Sequence, residues 1–352
     1  MSSTFPTLPD MVEAARSNLS SAVWNWIEGG ASGEQSLVAN RTQFDRLFFA
    51  PEMLNGAGPV DLSSDFFGLK TALPIFAAPF GSDGQIHPDR YLGVARALGA
   101  TGNTGIVSET STDSLEAIAE AFDGQQGMLQ VGLHGPDEHV LTYAERAAAA
   151  GFRGLCFTGQ SATKWRERIR RWGDDLDLKK HSGVGNQSTG MANPGQLLMD
   201  PNQPKWTWER LARISEQLPL PWVLKGVVTA EEARRALDAG ASGIYVSTFG
   251  GRNVDGMIPT LEALPSVVAE VDGRVPVLVD SGFRRGTDVA KALALGATAV
   301  GFGRLTAFGL AADGESGVRQ MVELLEGELI SVLGSLGVSR PAELAPRHVV
   351  RL

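Results

Sequence analysis

Cysteine, excess positive charge and long apolar segments are all scarce in this chain of 352 residues. Cys156 is the only cysteine, which excludes an intrachain disulfide framework and a zinc site built from thiolates, and predicts a reducing, cytoplasmic location. Asp and Glu outnumber Lys and Arg by 40 to 31, which argues against a general binder of nucleic acid or anionic membranes. No apolar run approaches the length of a membrane span, and the first residues lack the apolar core of a secretion signal. The sequence therefore predicts a soluble protein.

Glycine, by contrast, is abundant, with 42 residues, and it recurs at one kind of position. A helical stretch ends at glycine and a short β-rich run follows, as in ARALGATGNTGIVS and ALDAGASGIYVST. Short apolar runs separated by helical segments are typical of a parallel sheet. The runs predict strands at 74–78, 102–107, 127–132, 154–158, 222–225, 243–247, 275–280 and 298–302.

A helix is expected to follow each of these eight strands. Examples are 88–98, 112–122, 136–150, 229–239, 286–295 and 315–334. Eight strand-helix units over roughly 270 residues match a (β/α)8 TIM barrel in number and length. A doubly wound sheet is the alternative, but no G-x-G-x-x-G motif opens a helix after the first strand. We therefore predict an α/β protein in which residues 1–352 form one barrel domain.

Two regions lie outside the repeat. Residues 1–70 are expected to form an N-terminal extension that is helical over 10–30 and irregular beyond it. Residues 173–205, between strands 4 and 5, are rich in Gly, Asn, Asp, Pro and Gln, so we expect a flexible, mobile loop there. Its position on the face that carries barrel active sites favours a lid, and a plain disordered insertion fits the composition equally well.

Two loops carry glycine beside arginine where barrels bind phosphate, after strands 7 and 8. Asp280 ends strand 7 and is followed by Gly282 and Arg284, while Gly303 and Arg304 follow strand 8. Glycine lets backbone N–H groups approach phosphate oxygens, and arginine supplies a bidentate cation. The loops therefore predict a phosphate site, with two tight turns carrying surface arginines as the alternative.

Lys225 ends the otherwise apolar run PWVLKG, so we expect its side chain at the barrel mouth. There it would act as a Schiff-base amine or as a fixed positive charge beside an anionic cofactor. A snorkelling lysine is the less favoured alternative.

Five segments share their pattern with one known family. They read FDRLFFAP, LPIFAAPFG, LKGVVTAEEARRALDAGASGIYVS, DSGFRRGTDVAKALALGA, and GR followed by LAADGESGV. From about residue 10 to about residue 345 the chain resembles the FMN-dependent α-hydroxy-acid oxidases and dehydrogenases, such as glycolate oxidase, lactate oxidase and mandelate dehydrogenase. The resemblance implies a TIM barrel with FMN across its mouth.

The same resemblance implies where FMN binds. Its phosphate would meet the glycine–arginine loops, and Lys225 would face N1 of the ring, where a positive charge stabilises the anionic reduced flavin. The implied cofactor-binding residues are Pro79, Phe80, Gly81, Ser108, Gln130, Thr158, Lys225, Ser247, Asp280, Gly282, Arg284, Gly303 and Arg304.

The segment after strand 6 departs from the family. Family members carry a histidine there, in an S-N-H-G-G-R-type segment, that takes a proton from the substrate while the hydride equivalent passes to FMN. Phe249 stands at that position in STFGGR and has no lone pair to accept a proton. The family's aspartate that orients the histidine is replaced by Gln160. Loss of both members predicts altered chemistry.

The substrate side also differs from the family. Two substrate-facing tyrosines are replaced, one by Trp26 in the N-terminal helix and one by Gly132 after strand 3. Arg252 is retained and would hold a carboxylate. Arg166 is the nearest match to a second arginine, with a solvated basic helix face as the alternative. The predicted substrate-binding residues are Trp26, Gly132, Gln160, Arg166, Phe249 and Arg252; their sizes favour a substrate bulkier or less polar than glycolate or lactate.

Several titratable residues compete for the role of the missing base. His134 and His181 can both approach the site, and neither has an evident partner in the sequence. His87 is expected to cap the following helix, and His139 and His348 are expected at the surface. Further candidates are Asp83, Glu109 and Asp255. The predicted catalytic set is Lys225, Arg252, His134, Phe249 and Trp26, with no metal ligand expected.

The leading hypothesis is an FMN-dependent oxidoreductase with an altered substrate side. It would oxidise an atypical hydroxy or amino acid, or use flavin–oxygen chemistry, with O2 or another electron acceptor. The alternatives are a flavin-dependent isomerase or lyase without net redox change, a Schiff-base lyase that uses Lys225, and a flavin-binding protein without catalysis. Resemblance to the family also implies a homotetramer, and no nucleic-acid or membrane partner is expected.

Overall fold

The computed structural model describes residues 4–54, 58–159, 165–173, 176–187, 193–200, 202 and 206–352. Within these residues the strands are β1 Leu47–Phe49, β2 Ser64–Phe66, β3 Leu69–Thr71, β4 Ile75–Ala77, β5 Thr104–Ser108, β6 Met128–Gly132, β7 Gly154–Thr158, β8 Trp222–Val227, β9 Gly243–Val246, β10 Val277–Val279, β11 Ala299–Phe302 and β12 Val349–Arg351.

The α-helices of the same residues surround these strands. They are α1 Leu8–Asn18, α2 Ser21–Glu28, α3 Gln35–Thr42, α4 Arg90–Ala100, α5 Leu115–Ala121, α6 Asp137–Ala149, α7 Glu167–Trp172, α8 Leu178–His181, α9 Pro194–Met199, α10 Trp208–Ser215, α11 Ala230–Asp238, α12 Thr260–Val271, α13 Gly286–Ala294 and α14 Arg304–Leu336. None of them is long and apolar enough to span a bilayer.

Strands β4 to β11 form a closed parallel barrel in chain order, with β11 pairing back to β4. These eight strands overlap the predicted ones, and the (β/α)8 prediction is confirmed. Some of the helices begin at a side-chain cap: in α11, for example, the Thr229 side chain accepts the N–H of Glu232 at the helix start.

One apolar layer of the barrel interior is built from one inward-facing side chain of each strand. These side chains are Phe76, Ile106, Met128, Cys156, Val223, Tyr245, Leu278 and Ala299. Because side chains alternate along a strand, the residues two positions later also point inward, one layer closer to the mouth. That layer includes Ser108, Gln130, Thr158, Lys225, Ser247 and Asp280. The barrel interior therefore changes from apolar to polar between one layer of side chains and the next.

The N-terminal extension is helical, as predicted, and splits into α1 and α2 at Leu19–Ser20. The β1 strand pairs antiparallel with β12 from the far end of the chain, and β2 pairs with β3 in a hairpin. The last helix starts 11 residues before the predicted residue 315 and contains a break at Asp313 and Gly314, where the backbone is not helical. The predicted segment is therefore only the second part of α14.

The predicted loop at 173–205 is described only in part. Short helices α8 and α9 lie within it, and Asn186 between them is fully buried. Asn186 Oδ1 accepts the N–H of Leu115, and its Nδ2 donates to the backbone oxygen of Glu109. This part of the segment is therefore fastened to the barrel loops, while a lid movement stays a prediction.

Candidate active site

Lys225 lies at the centre of a buried polar network at the barrel mouth. Its ammonium Nζ donates to Ser247 Oγ at 2.6 Å and lies 3.0 Å from Asp280 Oδ2. Ser247 Oγ donates to Asp280 Oδ1 at 2.5 Å, and the Tyr245 hydroxyl donates to Asp280 Oδ2 at 2.9 Å. The network holds Lys225 as an ion-paired cation beneath the mouth, which does not suit a neutral Schiff-base amine. Sequence reasoning missed Tyr245.

A second hydrogen-bonded row crosses the other side of the mouth. Ser108 Oγ donates to Gln130 Oε1 at 2.8 Å, and Gln130 Nε2 donates to Thr158 Oγ1 at 3.1 Å. Ser108 on β5 and Gln130 on β6 are directly paired, whereas Thr158 on β7 lies opposite Gly132, so the Gln130 side chain reaches across a two-residue offset to Thr158. The structure therefore brings together three of the residues predicted to line FMN.

The loop after β4 contributes the predicted residues Pro79, Phe80 and Gly81, all partly buried. The Phe80 ring packs against Tyr91 with centroids 5.2 Å apart. A Cβ atom on Gly81 would overlap Thr110, so only glycine allows this loop to lie against the loop after β5. The two loops therefore form one edge of the mouth.

The two glycine–arginine loops meet, and both arginine side chains are mostly covered, with exposed fractions of 24% for Arg284 and 12% for Arg304. Arg304 donates to the backbone oxygens of Ile27, Gly250 and Gly29 at 2.9 to 3.0 Å. Arg284 Nη2 donates to Glu28 Oε2 at 3.1 Å, and the same oxygen lies 3.8 Å from Arg304 Nε. Glu28, at the end of α2, was missed because no local signal links it to loops more than 250 residues away.

This corner of the site fits a phosphate. Arg284 Nη1 is buried and has no hydrogen-bond partner among the described residues. A Cβ on Gly303 would meet nothing closer than Ala78 at 3.9 Å, so the backbone there is open to a ligand. An unpaired guanidinium N–H beside an open glycine is the arrangement that an anionic group such as the FMN phosphate completes.

Arg252 and Arg166 extend the positive charge toward the N-terminal helix. Arg252 Nη1 donates to the oxygen of Ile27 at 2.9 Å, and its guanidinium lies over the Trp26 ring, 5.3 Å from the centroid. Arg166 Nη1 lies 3.4 Å from the oxygen of Trp26. Burial lowers the pKa of Arg252, and the Arg166 and Arg304 guanidiniums lower it further. Such a cluster favours an anionic ligand, because each cation raises the cost of its neighbours.

Phe249 lies beside Lys225 at the barrel mouth. Lys225 Nζ lies 4.2 Å from the centroid of its ring. Its backbone is in the left-handed region, with φ 54°, and Ser281 Oγ accepts the N–H groups of Thr248 and Gly250 on either side. The predicted partner Gln160 lies outside the described residues.

Glu109, His134 and His139 form a cluster beside Gly132. Glu109 Oε1 accepts the Gly132 N–H at 2.7 Å, while Glu109 Oε2 lies 2.8 Å from His139 Nε2. His134 Nε2 lies 3.5 Å from Glu109 Oε1. The expectation that His139 lies at the surface is wrong, because its side chain is 0% exposed, and His134 has a partner that the sequence did not reveal.

The other residues proposed as the base are not part of this cluster, and most of them make hydrogen bonds that hold loops or helices in place. His348 is buried, not at the surface as expected, and its Nδ1 accepts the N–H of Ala345. His87 Nδ1 accepts the N–H of Asp89, the residue before α4, while Asp83 accepts the N–H of Tyr91 inside the first turn, so the expectation that His87 caps this helix is wrong. Burial lowers the pKa of His181, in α8, with Lys180 adding to the effect. Burial tends to raise the pKa of Asp255, but N–H donors led by Ser36 outweigh it, so this carboxylate fastens α3 instead.

Comparison with known proteins gives one consistent result. The sequence model of the family described as FMN-dependent dehydrogenase matches residues 15–351. The 4-hydroxymandelate oxidase of Amycolatopsis orientalis is 38% identical over 342 residues, which is 95% of each chain. An L-lactate oxidase of Nostoc sp. is 34% identical over 93% of each chain, and Glycolate oxidase 3 of Arabidopsis thaliana is 34% identical over 95% of this chain and 93% of its own.

Solved structures agree with the sequence relatives. A crystal structure of mandelate oxidase superposes with a TM-score of 0.90 at 37% identity and covers 99% of both chains. A second, of mandelate oxidase with benzoyl-formic acid, gives a TM-score of 0.89 at 36% identity over the same share.

Proposed function

Because this chain belongs to the FMN-dependent dehydrogenase family, we propose that it oxidises a 2-hydroxy acid larger and less polar than glycolate or lactate. The observation that carries the substrate class is the guanidinium of Arg252 lying over the Trp26 ring. A buried cation holds a carboxylate, and an aromatic wall beside it suits an apolar substituent on the next carbon.

FMN is the cofactor of this family, and the chain has residues to hold each part of it. Arg284, Arg304 and the open backbone at Gly303 suit the phosphate, and the Ser108–Gln130–Thr158 row offers hydrogen bonds to the ring edge. When bound, FMN supplies the two-electron acceptor that takes the hydride equivalent from the substrate. Lys225 would offset the negative charge that develops on the reduced ring.

The chain's own residues would perform the remaining tasks. Arg252 and Arg166 would orient the substrate carboxylate, so that the hydroxyl-bearing carbon faces the flavin. Trp26 and Phe249 would exclude water from the apolar side of the substrate. Phe249 cannot accept the substrate's hydroxyl proton, so that proton must go to another group of the mouth.

Dioxygen is the acceptor that we propose for the second half of the reaction. The relatives are named mandelate, lactate and glycolate oxidases, and this chain covers more than nine tenths of them. A flavin isomerase or lyase has no supporting contact in the described residues. A lyase that uses Lys225 as a Schiff base is disfavoured because its ammonium is paired with Asp280.

The first test is anaerobic reduction of the FMN-loaded protein, followed by its visible absorbance. Mandelate and 3-phenyllactate should bleach the flavin at least about tenfold faster than glycolate and lactate at equal concentration, which corresponds to about 1.4 kcal/mol of discrimination. Admitting O2 should restore the oxidised spectrum and release hydrogen peroxide and the 2-oxo acid. Glycolate and lactate serve as matched controls, since they share the carboxylate and hydroxyl and lack the ring.

A persistent oxidised spectrum with every hydroxy acid would contradict the proposal. Equal rates for small and aromatic acids would leave the oxidase reaction standing and remove the proposed preference for bulky substrates.

The proposed assembly is a homotetramer and the proposed location is the cytoplasm. The tetramer rests on the family resemblance, and the location rests on the single buried Cys156. Light scattering coupled to size-exclusion chromatography would give four times the chain's mass if the first is right.

A further inference from the structure

In the layer of inward-facing side chains above Gln130, strand β6 contributes no side chain, because the residue there is Gly132. The imidazole of His134 occupies that place. Gln130 points into the mouth, so Gly132, two residues later on β6, has its missing side chain directed inward as well. A Cβ atom on Gly132 would overlap Cε1 and Nδ1 of His134. The His134 ring therefore fills the inward position of Gly132.

The backbone holds the ring in this place. The His134 N–H donates to the Gly132 oxygen at 2.9 Å, which folds the loop back over the strand end. On the far side of the loop, Arg210 donates to the Gly135 oxygen at 3.0 Å and pairs with Asp137 at 2.6 Å. The loop is thus fastened on both sides of His134.

The two nitrogens of His134 have different surroundings. Nε2 lies at an ion-pair distance of 3.5 Å from Glu109 Oε1, and the ring edge formed by Cε1 and Nδ1 lies over the inward position of Gly132. Glu109 is itself fixed, because Oε1 accepts the Gly132 N–H and Oε2 contacts His139 Nε2. A carboxylate near one nitrogen, with the other nitrogen on the ring edge at the inward position of Gly132, places a general base and an acidic neighbour side by side.

His139 is not a second base of this kind. Its ring is fully buried, and its Nδ1 has no hydrogen-bond partner among the described residues. An Nδ1 left as a lone pair costs less than a buried N–H, so this ring is best placed as a neutral donor from Nε2 to Glu109. His139 thereby keeps one carboxylate oxygen occupied and directs the other toward Gly132 and His134.

We propose that His134, oriented by Glu109, accepts the substrate's hydroxyl proton in place of an imidazole at position 249. This inference rests on the proposed function. The hydroxyl O–H bond breaks and its proton goes to Nδ1, the adjacent C–H bond gives its hydride equivalent to FMN, and a C=O bond forms in the 2-oxo acid. The His134 imidazolium would release its proton to water, and O2, the acceptor proposed above, would take up the two electrons with two protons and become hydrogen peroxide.

The charged and titratable groups around His134 define what a pH profile would report. Glu109 faces it from the loop after β5, His139 and Tyr143 lie behind Glu109 on α6, and the Asp137–Arg210 pair borders the loop. Deprotonation of His134 would make the base available, so the rate of flavin reduction should rise with pH through one ionisation.

The test compares His134→Gln with His181→Gln, each loaded with FMN and reduced anaerobically by mandelate. Loss of a general base lowers rates by about 10² to 10⁴. We expect a fall of this size in the limiting reduction rate of His134→Gln, with the Kd of benzoylformate changed less than about threefold. The rise of the rate with pH should disappear in this variant, and His181→Gln should behave like the wild type in both respects.

A second variant guards against a folding defect in the first. Gly132→Ala keeps both His134 and Glu109 in the chain but drives the ring out of the inward position, and it should lower the reduction rate at least tenfold. The wild-type pH profile needs no variant at all, and a rate independent of pH between 5 and 9 would overturn the proposal.

Each remaining outcome decides the question. A normal rate in His134→Gln, or a loss confined to His181→Gln, overturns this inference while the oxidase function stands. No bleaching of the wild type by any hydroxy acid overturns both. The donor atoms of Glu109, His134 and His139 lie within 4.8 Å of one another, so a stoichiometric divalent metal in the wild type and absent from His134→Gln would also overturn it, because a metallated nitrogen cannot take the proton.

Discussion

Asp83 shows how burial of one residue controls its proton affinity. Its carboxyl group is fully buried in the loop after β4 and accepts the N–H groups of Tyr91 and Thr112, each at 2.9 Å. Burial raises the pKa of Asp83 to about 6, although the two N–H donors act in the opposite direction. The folded protein therefore binds this proton more tightly than the unfolded chain does.

The difference makes the protein's stability depend on pH. Above the unfolded pKa of 3.8 the unfolded chain gives up the proton while the folded protein keeps it until about pH 6, so this group's contribution to the free energy of unfolding falls across that window. Asp83→Asn should remove the dependence. Wild-type unfolding free energy should fall relative to the variant by about 3 kcal/mol between pH 4 and pH 7.

Urea unfolding of both proteins at pH 4, 5.5 and 7, followed by tryptophan fluorescence, checks this result. Parallel changes in the two proteins would show that Asp83 is ionised throughout and that its two N–H donors outweigh burial.

Single residues divide clearly into those that the sequence predicts and those that it does not. Lys225, Asp280 and Arg304 meet at the mouth because each follows a barrel strand, and strand ends are readable from the chain. His139 was wrongly placed at the surface, although α6 buries it in a helical stripe with Val140, Tyr143 and neighbours. Glu28 has no comparable signal, because an ion pair between distant segments leaves no local pattern.

At the scale of elements, the loop after β10 depends on close approach to α3. Gly282 has φ +89°, and a Cβ there would overlap the backbone oxygen of Asn40 in α3. Arg41, the next residue, donates to the Gly282 oxygen at 2.6 Å and pairs with Asp288 at the start of α13. These contacts hold α3, the loop after β10 and α13 together beside Arg284.

Gly282→Ala should therefore push α3 away from the arginine loop. We expect the free energy of unfolding to fall by about 2 kcal/mol or more from strain and overlap, and the Kd of FMN to rise at least about tenfold. Gly124→Ala is the matched control, since Gly124 has φ +90° but nothing within 4 Å of an added Cβ.

Flavin fluorescence titration and thermal unfolding of both variants separate the two causes. If Gly124→Ala loses as much stability as Gly282→Ala and neither changes FMN affinity, backbone strain alone is responsible and the contact with Asn40 has no role in the site.

Elements differ in how well the sequence predicts them, for physical reasons. The barrel strands are apolar because both faces are covered, and glycine ends the helical stretch before several of them, so eight of them could be found. The β1–β12 and β2–β3 pairs have three residues a strand, too short for a period to show. In α14, Gly314 at φ 55° interrupts the pattern, which hid the first part of the helix.

At the scale of the whole molecule, the stability of the fold and the binding of the cofactor depend on the same cluster of charged side chains. Arg166, Arg252, Arg284 and Arg304 are buried near one another, and burial lowers the pKa of each. Glu28 is the carboxylate that contacts Arg284 and Arg304. A bound phosphate adds negative charge beside the same guanidiniums, so it stabilises the fold and at the same time repels Glu28.

Glu28→Gln should therefore destabilise the FMN-free protein and at the same time strengthen FMN binding. Without FMN it removes a partly exposed carboxylate from two arginines, and the free energy of unfolding should fall by about 1 kcal/mol. With FMN the phosphate takes over that pairing and the repulsion is gone, so the Kd of FMN should fall by about fivefold to tenfold. Riboflavin, which has no phosphate, should bind the variant and the wild type equally.

Glu34→Gln provides the control, because Glu34 pairs directly with Arg168 at 2.7 Å and acts on Arg304 only from a distance, whereas Glu28 contacts both phosphate-loop arginines. It should lower apo stability without changing the ratio of FMN to riboflavin affinity. Calorimetric titration of the apo proteins with both flavins measures that ratio directly. A weaker FMN complex in Glu28→Gln would mean that the carboxylate positions Arg284 and Arg304 for the phosphate instead of competing with it, and the coupling between folding and cofactor binding would then be cooperative at this residue.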